Sequence, residues 1–442
     1  MPELAIWLEP YDAPVGRLVS DDFYALTFTY EPAYLRRPDA TALSLSMPLT
    51  AEPYGDAAAQ AWFANLLQEG KRLDDICAGG PGRLPVDRND VVGLLEQLGR
   101  ECPGAVSAVP PGAPPGKRPG VLATDYAPIP DEELATELAN LFAGRPAKPG
   151  TEFSLAGVQS KMAVTVAADG TLMEPLPGSG APTTHVLKVG DADHEALVEN
   201  EFLCLELAAA LGLPVVAREM RERAGVRSLL VPRYDRAVDY GNGTVHRLHQ
   251  EDCCQALGLP PSLKYEKRGD RATGRIADFA RLFGLNAKTA VPADFRATIA
   301  KANFLNFLIG NADAHAKNFS LLHDGRRPRL APLYDLICIA LYPRHSQEFS
   351  MRIGGSVDGA VAGKKMWDDI EHEDWLAFLA IAGFRGAGGA RFLETQLKPM
   401  ADRALAAFDD LVVQHGLQQS PACAIRDCLA KRLAHLRATL GW

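Results

Sequence analysis

The stretch Gly310–Leu322 reads "GNADAHAKNFSLL" and sets Asp313, His315, Lys317 and Asn318 within six residues of one another, between apolar flanks. The run before it, "FLNFLIG", has the character of a buried helix end closed by glycine. The run after it, "FSLLHDG", reads as a short strand ending in a turn. Polar groups at such a helix-to-strand junction are either satisfied caps or a working site.

The spacing within the stretch favours a site. Asp313 and Asn318 are five residues apart. Phosphotransferases of the protein-kinase type use an Asp to accept a hydroxyl proton and an Asn five residues later to hold Mg²⁺. Asp335 follows in "LAPLYDLI", an apolar, strand-like setting in which an unpaired carboxylate is costly to bury. Asn318 and Asp335 supply hard oxygen ligands of the kind Mg²⁺ prefers. Asp335 is equally readable as the cap of a following helix. Lys317 is placed to neutralise developing phosphate charge or to sit on the surface. His315 fits either a loop-fixing role or a place beside a nucleotide.

Two upstream segments extend the pattern. "FSLAGVQSKMAVTV", Phe153 to Val166, places small residues before a lysine and a strand. Backbone N–H groups there can approach phosphate oxygens, although a plain β-turn is the better reading of the stretch when it is taken alone. Lys188, in "THVLKVG", suits an α/β-phosphate contact oriented by an acidic residue on the next helix, where Glu195, Glu199 and Glu201 are all candidates. Taken alone, Lys188 is a solvated strand-end lysine. The ordered set of loop, lysine, acidic helix, Asp313, Asn318 and Asp335 points to phosphoryl transfer.

The rest of the chain bounds this reading. At 442 residues it is too long for one ordinary core. Hydrophobic content of 47% with 23% charged residues describes a globular protein, and a net charge of −9 argues against a dedicated nucleic-acid binder. The eight cysteines form no CxxC pair, so neither a zinc knuckle nor a redox motif is expected. With no signal-like N-terminus and no apolar run of membrane-spanning length, a cytoplasmic location and no membrane partner are expected.

The class is α+β. A small N-terminal subdomain is expected over residues 1–102, with strands in "LAIWLEP" and "YALTFTYEP" and a helix through "AAAQAWFANLLQEGKRLDDI". A Pro/Gly-rich exposed linker and the short helix "DEELATELANLF" occupy residues 103–150. A β-rich lobe with strands "MAVTV", "HVLKV" and "SLLVPRYD" spans 151–240, and a mostly helical lobe spans 241–442. In the latter, Leu393, Leu397, Ala401, Ala404, Phe408 and Leu411 form one apolar stripe.

Read together and in order, "FSLAGVQSKMAV", "APTTHVLKV", "VENEF", "LLVPRYDR", "EDCCQALGLPPSLKYE", "NFLIGNADAHAKNFSLL" and "APLYDLI" resemble the HipA family, the serine/threonine kinase toxins of bacterial toxin–antitoxin modules. The resemblance spans nearly the whole chain. It implies a bilobal protein-kinase-like core behind the N-terminal subdomain, with ATP and Mg²⁺ as cofactors. By resemblance, Asp313 is the catalytic Asp, assisted by Lys317, and Asn318 and Asp335 bind Mg²⁺. Ala156, Gly157, Val158, Gln159, Ser160 and Lys161 cover the ATP phosphates, and Lys188 pairs with them. Pro232, Arg233 and Tyr234 form the hinge against adenine, with His315, Asn318 and Tyr334 also bordering the nucleotide. Ser154 matches the family's self-phosphorylated serine. Two positions depart from the family's pattern: Ser160 stands where an acidic residue is usual, and Pro232 has no N–H to donate to adenine. The implied partners are a protein substrate, aminoacyl-tRNA synthetases being among the family's targets, and a HipB-like helix-turn-helix antitoxin that carries the operator DNA contacts. A small-molecule phosphotransferase and a non-catalytic, kinase-like co-repressor scaffold are the rival readings.

Overall fold

A computed structural model describes residues 1–70, 73–74, 77, 85–143, 160–191, 194, 196–269, 273–354, 356–357, 360–361 and 363–442. The loop residues Ser154, Ala156, Gly157, Val158 and Gln159, and Glu195, lie outside them. The chain forms two compact units. The first comprises Met1–Ala192, Arg221–Pro261 and Ser320–Arg326, and the second comprises Asp193–Met220, Ser262–Phe319 and Arg327–Trp442. Both mix helix and sheet, as the α+β class requires.

The first unit begins with an antiparallel sheet in the order Leu26–Tyr30, Gly16–Ser20, Glu3–Leu8, Val106–Val109. The strands Gly16–Ser20 and Leu26–Tyr30 alternate buried and more exposed side chains, and Leu4, Ile6, Leu18 and Phe28 pack against Trp62, Phe63, Leu94 and Leu95. The last strand corrects the sequence reading. Residues 103–120 are not exposed linker throughout, because Val106–Val109 is fully buried and pairs with Glu3–Leu8, Ala5 opposite Val109. Its neighbouring prolines end the strand but do not prevent it. The helix expected through residue 76 also ends early. It spans Asp56–Phe63 and closes with a 3₁₀ turn, Ala64–Leu66. The Asn65 side-chain amide donates to Ala61 O at 2.7 Å and Leu259 O at 2.8 Å. It thereby competes for the carbonyl that a continuing helix would use.

Five whole strands of a six-stranded sheet lie in this unit, in the order Val226–Pro232, His185–Val189, Lys161–Val166, Leu172–Pro175, Tyr126–Pro128, all neighbours antiparallel. The helix Asp131–Phe142 lays Leu134, Leu138 and Leu141 on it, over Val164, Leu187 and Leu230. Three acidic residues occupy that helix's first turn, which suits its dipole.

The second unit is mainly helical. Helix Leu197–Ala210 is buried over most of its surface and packs against Lys398–Gln414, where Ala401, Ala404, Phe408 and Leu411 are buried as their spacing requires. Helix Pro292–Ile309 packs against Ala422–Leu440. Phe304 and Phe307 meet Trp375 edge-on at 5.2 and 5.4 Å. Among the described residues no helix is long and apolar enough to cross a membrane.

Candidate active site

In the second unit, helix Pro292–Ile309 ends at Gly310, whose φ of +70° is open to glycine at little cost. A Cβ built there would lie 2.8 Å from Cys428 Sγ and 3.0 Å from Ala340 Cβ. The chain then turns through Asn311 and Asp313 into a 3₁₀ turn, Ala316–Asn318. Asn311 is the internal brace: its Nδ2 donates to Asn306 Oδ1 at 3.0 Å, and its Oδ1 accepts from Asp313 N–H at 3.2 Å. The Asp313 carboxylate is exposed, and its Oδ1 accepts the Tyr265 hydroxyl at 2.9 Å. His315 N–H donates to Asp313 O at 2.7 Å, and Asn318 N–H to His315 O at 2.9 Å. The His315 and Lys317 side chains are buried.

Asn318 Oδ1 is buried and accepts no hydrogen bond among the described residues. A carbonyl oxygen in that condition loses free energy unless a donor or a cation faces it. The Tyr334 hydroxyl donates to Lys317 O at 2.7 Å, which ties the residue before Asp335 to the residue before Asn318. A carboxylate and an amide oxygen are donors of the hard kind that Mg²⁺ takes.

Asp335 differs from its sequence reading. It lies neither in a strand nor at a helix cap but in an irregular segment, half-buried, with φ +52°. The segment just before it is pinned by Leu333 N–H donating to Pro214 O at 2.8 Å, and the chain then turns through the left-handed region. The following 3₁₀ turn starts only at Ile339. Asn200, on helix Leu197–Ala210, grips this segment further along. Its Oδ1 accepts Cys338 N–H at 2.8 Å, and its Nδ2 donates to Cys338 O at 3.1 Å. The neighbouring Glu199 and Glu201 are both buried.

In the first unit, Lys161 stands directly opposite Lys188 across the strand pair, and Lys188 is buried. Like charges directly opposite destabilise a sheet unless anions compensate them. The carbonyl of Ser160 accepts Val189 N–H at 2.9 Å, which fixes the entry to the Lys161 strand.

The stretch Pro232–Tyr234 has its own surroundings. Pro232 is opposite His185 at the strand end. Both the N–H and the guanidinium of Arg233 are engaged within the protein. Its N–H donates to Thr184 O, and its guanidinium is buried between Glu101 and Asp235 at 3.0 and 3.1 Å. Arg236 and Lys117 join Glu101, each at 3.0 Å, and Gly104 N–H donates to Asp235 at 2.6 Å. The Tyr234 hydroxyl donates to Gln250 Oε1 at 3.0 Å. Burial pushes the Glu101 carboxyl up, but the charges of Lys117, Arg233 and Arg236 outweigh it and hold the group well below the usual carboxylate range.

Sequence reasoning missed Tyr265, Asn311 and Asn200. A signal existed for Asn200 alone: an amide in the middle of an apolar helix is a poor helix former and needs a partner.

Known proteins share this arrangement of chain. The family model described as HipA-like C-terminal domain matches residues 153–409, and the one described as HipA N-terminal domain matches residues 4–109. Y4mE of Sinorhizobium fredii is 38% identical over 374 residues, 84% of this chain and 83% of that protein. The serine/threonine-protein kinase toxin HipA of Shewanella oneidensis is 30% identical over 368 residues, 78% of each chain. The solved complex of Shewanella oneidensis HipA with HipB and operator DNA superposes with a TM-score of 0.79 at 26% identity, covering 99% of this chain and 98% of that one.

Proposed function

Because the chain belongs to the HipA-like serine/threonine kinase toxin family, we propose that it transfers the γ-phosphoryl group of ATP to a serine or threonine hydroxyl of a protein. The hydroxyl oxygen bonds to the γ-phosphorus as the bond to the β,γ-bridging oxygen breaks. ADP leaves, and Asp313 takes the hydroxyl proton. Magnesium, when bound, neutralises phosphate charge. Asn318 and Asp335 would hold it, and Lys317 adds positive charge to the same loop. Lys161 and Lys188 supply the paired cations for the nucleotide phosphates. Tyr265 and Asn311 hold Asp313 in place, so that the loop works by position rather than by covalent chemistry.

The observation that carries this reading is the loop itself: an exposed, braced carboxylate at Asp313, five residues before a buried Asn318 oxygen that accepts no hydrogen bond. In the Shewanella oneidensis complex the partners named are HipB and operator DNA. By that analogy a helix-turn-helix antitoxin neutralises this chain and carries the DNA contacts. Ser154 is the proposed site of self-phosphorylation. An added phosphate brings roughly −1.5 to −2 charge beside the ATP phosphates, and repulsion would draw the loop away and switch the enzyme off.

The test is incubation of the full chain with Mg-ATP and a bacterial lysate, followed by mapping of phosphorylated sites. Modified Ser or Thr on discrete proteins, an aminoacyl-tRNA synthetase among the candidates, together with a phosphopeptide covering Phe153–Lys161, is expected. ATP consumption with no protein modified would favour a small-molecule acceptor.

A further inference from the structure

The turn that carries Tyr265 gathers positive charge beside Asp313. Three cations lie around the Tyr265 ring: Arg268 Cζ is 5.3 Å, Lys264 Nζ 5.4 Å and Lys267 Nζ 5.8 Å from its centroid. His315 meets the same ring edge-on at 5.2 Å. The nearest acid in the sequence is turned to another partner. Glu266 is buried, its Oε2 accepting Arg352 N–H at 2.6 Å and its Oε1 lying 3.7 Å from Arg352 Nε. Lys267 and Arg268 are exposed and form no ion pair with any described residue.

This concentration is not a consequence of composition, since the chain carries a net charge of −9. The ring face attracts each cation, but the two exposed charges of Lys267 and Arg268 also repel one another. A counter-charge from outside relieves that repulsion. The same ring donates its hydroxyl to Asp313, so whatever meets these cations also lies beside the carboxylate that would receive the acceptor hydroxyl. A peptide advances about 3.3 Å per residue, so side chains within roughly four residues of the acceptor reach this rim.

The geometry points to an acceptor-side docking platform for acidic peptide segments: the serine or threonine presented to Asp313 is flanked by Asp or Glu, held by Lys267 and Arg268. This rests on the phosphoryl-transfer reading of Asp313. Tyr265 acts as a positioning residue, and the two exposed cations determine specificity.

The test uses the full chain, Mg-ATP and a library of serine-centred peptides with randomised flanks, read by sequencing the phosphopeptides. The comparison is the double charge reversal Lys267→Glu with Arg268→Glu. The wild type should favour acidic over basic flanks by about fivefold to thirtyfold in kcat/KM, the range that two exposed ion pairs supply, with the ratio shrinking in high salt. The double variant should reverse the order. Because the readout is a ratio within each protein, partial loss of folded variant does not mimic reversal. Transfer to peptides with no acidic preference, or a preference unchanged by charge reversal, overturns the platform and leaves the kinase reading standing. Absence of transfer to any peptide or protein overturns the kinase reading, and the platform with it.

Discussion

The Tyr334 hydroxyl donates to the carbonyl oxygen of Lys317 at 2.7 Å. Seventeen residues apart in sequence, the two immediately precede Asp335 and Asn318. The bond links the two segments that carry the oxygen ligands proposed for Mg²⁺, through a side chain that need not touch the metal.

Tyr334→Phe removes that bond and little else. A stability loss of about 1 kcal/mol is expected, the net worth of one hydrogen bond. The larger effect should fall on metal dependence. Half-saturation of ATP binding should need several-fold more Mg²⁺, with activity recovering at high Mg²⁺. Titration calorimetry across a Mg²⁺ series reads this, and an unchanged Mg²⁺ requirement would show that the Tyr334–Lys317 bond does not support metal binding.

Asp335 sits at φ +52°, where a side chain with a Cβ is strained. Replacement by Ala keeps the strain and loses the carboxylate. Replacement by Gly loses the carboxylate and relieves the strain. Both variants should lose Mg²⁺-dependent ATP binding, while Asp335→Gly should be the more stable by about 1 kcal/mol. Thermal melts of the pair separate ligand loss from backbone effects. Equal melts with metal binding intact would remove Asp335 from the site.

Gly310 sits beneath the loop. Gly310→Ala should destabilise the second unit by roughly 2–3 kcal/mol, from its positive φ and from overlap with Cys428. Adding Cys428→Ala should restore the overlap part and leave the backbone part. Urea unfolding of the single and double variants measures the division. No rescue would mean that the φ angle alone sets the cost.

Acid should loosen the first unit in two stages. Burial, reinforced by the nearby His323, pushes the His249 imidazole down to about 3, so the folded chain keeps it neutral while the unfolded chain takes a proton below about pH 6.5. That stability is lost as pH falls from about 6.5 toward 3. Asp235 is pushed up by burial but drawn down to about 2 by Arg233 and Arg236, and Glu101 is depressed in the same way. Their contribution is present above the unfolded carboxylate range near pH 4 and disappears as pH falls through about 2. Asp235 alone accounts for about 2 kcal/mol. Denaturation midpoints between pH 7.5 and 3 should fall throughout. Glu101→Gln should be destabilised at neutral pH by roughly 3–5 kcal/mol, because it leaves Arg233 and Arg236 with Asp235 as their carboxylate and removes the carboxylate that Lys117 meets. A flat profile down to pH 4 would contradict the assignment.

Much of this was legible in the sequence. The Asp313–Asn318 spacing needs only local counting, and the stripe from Leu393 to Leu411 is buried because its period matches a helix face. Val106–Val109 was hidden because four residues between turn formers carry no periodicity, and only pairing with Glu3–Leu8 makes them a strand. Tyr265 and Asn200 were hidden because their partners lie 48 and 138 residues away. Asp335 was misread because an apolar neighbourhood suggests a strand, while its left-handed φ shows only once the chain is folded. The burial of the Arg233 guanidinium is not legible locally, because one of its two carboxylate partners, Glu101, lies 132 residues away.

The account stands most directly on Asp313. The measurement is the initial rate of radiolabel transfer from γ-labelled ATP to protein, for the wild type and for Asp313→Asn, with Mg-ATP binding measured on both. The substitution nearly preserves shape and removes the proton acceptor. The account predicts that Asp313→Asn binds Mg-ATP and melts near the wild-type temperature while transfer falls by at least about a hundredfold, the lower end of what a positioned general base contributes. Transfer at the wild-type rate by a folded Asp313→Asn protein would contradict it.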